Sequence, residues 1–124
     1  MLNQGGIKKT TAVSNKTILV APELAFSMSC MIADTNVVAN EEGKKIVKAG
    51  TPLAGSLLER QNPFTVATGG TAVGIVLHDV DVTAGTANSQ VVVFGFVDES
   101  KLEASVVEML TETIKSKLKI TFVK

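Results

Sequence analysis

Between residues 61 and 97 the chain has no lysine or arginine, and its only acidic residues are Asp79 and Asp81. A run of 37 residues so poor in charge is not ordinary solvated surface. It forms the core of a domain or faces another protein chain. The β-branched content indicates how such a core is built. Valine (17), threonine (13) and isoleucine (7) together make about 30% of the 124 residues, a balance that favours strands. The length fits one domain. Twelve basic residues balance twelve acidic ones, so no global field draws nucleic acid or an anionic membrane, and neither is expected as a partner. No apolar run approaches the roughly 18 residues of a membrane span, and the first residues lack the apolar region of a signal peptide.

Residues 1–16 carry Lys8, Lys9 and Lys16 with no acidic residue, and Gly5 and Gly6 are adjacent. With no sustained period, this segment reads as a flexible N-terminal arm ahead of a single β-rich domain over residues 17–124. Residues 17–21 (TILVA) form a short β-favouring run stopped by Pro22. Residues 24–32 (LAFSMSCMI) fit a strand or a helix, and periodicity does not decide between them. Residues 40–43 (NEEG) read as a turn, 45–48 as a short strand and 50–52 as a break. Residues 73–83 read as a strand, 83–88 (TAGTAN) as a turn and 90–97 (QVVVFGFV) as a largely buried strand, together a β-hairpin.

At the C-terminus, Ser100 and Glu103 have the spacing of a capping box. Leu102, Val106, Met109, Leu110 and Ile114 recur at helical spacing, which predicts one helix from Ser100 to about Lys117. Leu118, Ile120 and Phe122 then alternate with polar residues and Val123 as a final strand. The expected fold is α+β: a compact β-rich body, a small barrel or sandwich, with one C-terminal helix followed by a short strand.

Candidates for chemistry are few. His78, Asp79 and Asp81 (HDVD) hold an imidazole and two carboxylates within four residues. In a strand His78 points away from the two acids, so the three do not converge on a metal and are read as structural or contact residues. Cys30, the sole cysteine, reads as a buried apolar thiol, and Met28 and Met31 as core filler. Gly69, Gly70 and Gly74 (GGTAVG) superficially resemble a phosphate loop but precede a strand and lack a following GKS or GKT. Asn15 opens a glycosylation sequon (NKT) with no secretory context. No catalytic residue, cofactor-binding residue or metal ligand is expected, and the chain is not read as an enzyme.

Two stretches, residues 43–55 (GKKIVKAGTPLAG) and 71–102 (TAVGIVLHDVDVTAGTANSQVVVFGFVDESKL), carry a resemblance. In order, they resemble small head proteins of tailed bacteriophages, the capsid decoration or head-fibre proteins, especially of phages of Gram-positive hosts. The resemblance covers roughly residues 43–124. It implies a non-enzymatic virion protein on the capsid exterior, present in the host cytoplasm during assembly. Such a protein binds the major capsid protein, bridges its neighbouring subunits, stiffens the shell and is often a homotrimer. On that reading Lys8, Lys9, Thr10, Thr11, Ala12 and Val13 are the expected capsid contacts. Residues 10–13 would add to an exposed strand edge, and the lysines would favour an acidic patch. The alternative is a small soluble β-rich ligand-binding module or enzyme subunit, with HDVD as its only anchor.

Overall fold

The computed structural model describes residues 17–59, 61–68 and 71–124. The arm over residues 1–16, with its six expected capsid contacts, therefore lies outside the described residues, as do Gly69 and Gly70. The chain forms β1 (Phe26–Ile32), β2 (Ile46–Val47), β3 (Pro52–Ala54), β4 (Thr65–Val66), β5 (Gly74–Val76), β6 (Val80–Asp81) and β7 (Ala87–Asp98). Two short helices, α1 (Ala104–Met109) and α2 (Glu112–Lys117), precede β8 (Lys119–Val123). The expected β-rich body ending in helix and then strand is present. Among the described residues no helix is long and apolar enough to cross a membrane.

The 12-residue strand β7 is the spine, because its valine-rich sequence contains no proline and can donate to both neighbours along its length. Its first half pairs antiparallel with β1 on one edge and with β5 on the other, through Ile75 opposite Val92 and Val76 opposite Val91. Its second half pairs in parallel with β8, from Phe94 opposite Lys119 to Asp98 opposite Val123. On the β1 edge, Leu19 bridges Val97. The sheet continues from β5 to β3 and β4. Phe64, just before β4, donates its amide to the Met31 carbonyl (2.8 Å) and accepts from the Ala33 amide (2.9 Å). The last strand is thereby tied to the end of the first.

Successive strand residues point to opposite faces, yet Ile75, Val76, Val91 and Val92 are all fully buried. The middle of the sheet is therefore covered on both sides, which accounts for the missing charge in this stretch. On one side Ile75, Val92 and Val97 pack with Ile18, Leu19 and, from the C-terminal helical segment and its junctions, Leu102, Val106, Leu110 and Ile114. On the other, Val76 and Val91 pack with Ile32, Leu53, Phe64 and, from the small β2–β6 sheet, Val47 and Val80. Strands β5 and β7 approach so closely that a Cβ on Gly74 would lie 2.6 Å from the Val92 carbonyl oxygen. Gly50, at φ +92°, makes the turn into β3 directly beneath Leu102 and Val106.

One open reading is decided and two expectations need correction. Residues 24–32 resolve into a 3₁₀ turn (Pro22–Leu24) followed by strand. Residues 73–83 are two short strands, not one, since β5 and β6 belong to different sheets and the chain bends at Leu77–Asp79. The simple hairpin is accordingly replaced by a β5–β7 pairing with β6 diverted between them.

The single C-terminal helix is also broken. Ser100 gives both its amide (3.0 Å) and its hydroxyl (2.6 Å) to Asp98 Oδ1, which holds it in a 3₁₀ turn (Glu99–Lys101). Glu103 then takes the N-cap of α1 without a side-chain hydrogen bond. Leu110 leaves helical geometry (ψ 72°), and the Thr111 hydroxyl oxygen accepts from the Ile114 amide to start α2. The apolar stripe nevertheless survives the break. Leu102, Val106, Leu110 and Ile114 are all buried, while Met109 is half-buried. Lys115 in α2 pairs with Glu99 at 2.7 Å and lies 5.1 Å from the centre of the Phe122 ring, tying α2 to the end of β7 and to β8.

Candidate functional site

The HDVD residues sit where the chain leaves one sheet for the other. Because the strand is interrupted, the alternation argument does not hold there: His78, Asp79 and Asp81 line one open groove of about 910 Å³, together with Cys30, Gln61 and Gln90. Both carboxylates already have work in the backbone. Asp79 Oδ1 accepts from the Ala49 amide (2.8 Å), and its other oxygen is 3.8 Å from Lys48 Nζ. Asp81 Oδ1 accepts from the Thr83 amide (2.8 Å). Hydrogen bonds from the Thr83 hydroxyl and amide hold the Asp81 carboxyl below the usual carboxylate range. Asp98 is lowered likewise, first by the Ser100 hydroxyl. Thr83 Oγ1 in turn accepts from the Lys45 amide, so Asp81 fixes the turn that docks β2 on β6.

The exposed His78 remains the one ring on the groove, and Cys30 is buried, with burial pushing its thiol up. A thiol that stays protonated is a poor nucleophile. Among the described residues no group of three or more His, Cys, Asp or Glu side chains is placed to hold a metal. Calorimetric titration with Zn²⁺, Mn²⁺ and Ca²⁺ is expected to give no stoichiometric binding. A micromolar site abolished by His78→Ala would reverse this and make the groove a ligand site.

A second feature lies on the sheet itself. Residues 90–97 were expected to be largely buried, but Phe94 and Phe96 are 51% and 36% exposed. Phe26, 57% exposed, lies directly opposite Phe94 across the β1–β7 pair. Val20, whose amide donates to the Phe96 carbonyl (2.9 Å), and Leu24 on the intervening turn are also exposed. Three of the five phenylalanines of the chain thus stand on one side of the sheet. The other side of the same strands is buried through Val97 and Ile120. The signal was present as the alternation in FGF. That alternation assigns Phe94 and Phe96 to one face, but it does not say which face meets the helices.

Compared with protein-family models and with curated proteins, the chain matches none.

Proposed function

We propose that this chain is a structural virion protein that binds the outer surface of an assembled tailed-phage capsid and stabilises it by bridging major capsid subunits. The observation that carries the reading is how the two family-like stretches fold. Residues 43–55 supply β2 and β3, and residues 71–102 supply β5, β6 and β7. These elements pair with one another in both sheets, β3 with β5 and β2 with β6. The resemblance therefore falls on one contiguous unit, as an inherited domain would, and not on scattered pieces. On this reading the body is a small closed barrel, which the Phe64 hydrogen bonds to the end of β1 support. Its partners are the major capsid protein and two further copies of itself, and residues 1–16 form an arm that reaches the shell.

The test is electron microscopy of the chain mixed with undecorated capsids, using the full chain and a variant lacking residues 1–16. Density for the full chain on the capsid exterior is expected. The truncated chain should keep its fold and oligomeric state but decorate far more weakly, because Lys8, Lys9, Thr10, Thr11, Ala12 and Val13 are lost. Raising the salt should weaken decoration by the full chain as the lysines are screened. Equal decoration by both chains would leave the arm without a role, and bare capsids would overturn the reading.

A further inference from the structure

The exposed aromatic face of β1 and β7 is formed by Phe26, Phe94 and Phe96 with Val20 and Leu24. We propose that it is the surface through which copies of this chain associate with one another around a common axis. The inference rests on the proposed function only for its expectation of an oligomer; the surface and its geometry come from the fold.

An exposed aromatic pair is an unusual use of a sheet. Phe26 and Phe94 are direct cross-strand neighbours, Phe96 follows two residues on, and Val20 and Leu24 extend the patch along the same edge. Contiguous apolar surface of this kind, rimmed by polar residues, marks a contact with another protein. Aromatic residues are also enriched among those that dominate interface energy.

Charge at the rim selects the occupant. Glu23, exposed on the turn before β1, flanks one side of the patch. Lys119, exposed on β8 and opposite Phe94, flanks the other. Neither is in an ion pair among the described residues. A patch with an acid at one margin and a base at the other is complementary to a rotated copy of itself. In a ring, the Glu23 margin of each copy meets the Lys119 margin of the next, and the aromatic centre is shielded from water. Such a head-to-tail contact closes when the rotation does. A zero net charge adds no overall repulsion between copies.

The test is sedimentation equilibrium of the full chain over a wide concentration range, with amide NMR spectra or far-UV circular dichroism to establish that each variant is folded. The full chain should be oligomeric. Phe94→Asp should weaken association by roughly 30-fold or more. Lys119→Glu and Glu23→Lys should each weaken association, and the double variant Glu23→Lys/Lys119→Glu should regain much of what each lost, because the exchanged charges again oppose one another. A full chain that stays monomeric, or a folded Phe94→Asp variant that associates normally, would overturn the proposal. So would a double variant weaker than either single one. Capsid decoration is scored separately: a monomer that decorates capsids defeats this inference and the expected trimer but leaves capsid binding standing, whereas an oligomer held by this face that ignores capsids defeats only the capsid-binding reading.

Discussion

Phe64→Ala is expected to destabilise the protein by about 3–5 kcal/mol, the range for removing a fully enclosed phenylalanine ring. Phe64 is completely buried and packs with Ile32, Leu53, Val76 and Val91, residues from four strands of the same sheet. Its ring also lies so close to Gly55 that a Cβ there would approach it to 2.7 Å. Alanine would leave a cavity whose walls are strands held in register on several sides, so collapse to fill it is poor. The backbone consequence adds to this. The amide and carbonyl of Phe64 tie the β4 end of the sheet to β1, and a loosened residue 64 weakens that tie. The melting temperature should fall on the order of 10–20 °C, with the same loss from urea unfolding. A loss under about 1 kcal/mol would mean that this side of the sheet is not a closed core. Phe94→Ala serves as a contrast, since Phe94 is half exposed, and the folded monomer should tolerate it far better.

The contrast between these two phenylalanines shows what the sequence can and cannot convey. Scarcity of charge over residues 61–97 left core and chain–chain contact open, and the core does run through this stretch, where Ile75, Val76, Val91 and Val92 are buried on both faces of the sheet. The same scarcity also covers Phe94 and Phe96, which are not buried. Absence of charge is common to a core and to a surface meant for another chain, and composition does not separate them. The single strand expected over residues 73–83 failed for a different reason. Its valines and isoleucine read as one strand, but Asp79 and Asp81 each accept backbone amides and so anchor a bend that hands the chain to a second sheet. Short polar side chains compete with ladder pairing in this way, and that competition depends on partners distant in sequence, here Ala49. The helix boundary failed locally. Ser100 and Glu103 had the right spacing for a capping box, but Asp98, two residues ahead, claims both the amide and the hydroxyl of Ser100.

Leu110→Ala is the sharper test of that C-terminal region, with an expected loss of roughly 2–5 kcal/mol. In an unbroken helix Leu110 would be one of several equivalent stripe residues. Here it stands at the junction, ending α1 with its amide donating to the Val106 and Val107 carbonyls, immediately before the Thr111 cap of α2. It is only 4% exposed, within the cluster that joins Val106 and Ile114 to Ile75, Val92 and Val97. Its side chain thus connects both helices to the central strands at the point where the backbone is least regular. Alanine has the higher intrinsic helix propensity, so an isolated helical segment would be unharmed by the change or slightly favoured. The two accounts therefore predict different outcomes. If packing at the junction holds the helices, Leu110→Ala lowers the unfolding free energy by several kcal/mol and speeds amide exchange in α1 and α2 ahead of β7. If the helices stand on their own propensity, neither changes, and the C-terminal segment is an appendage to the β body.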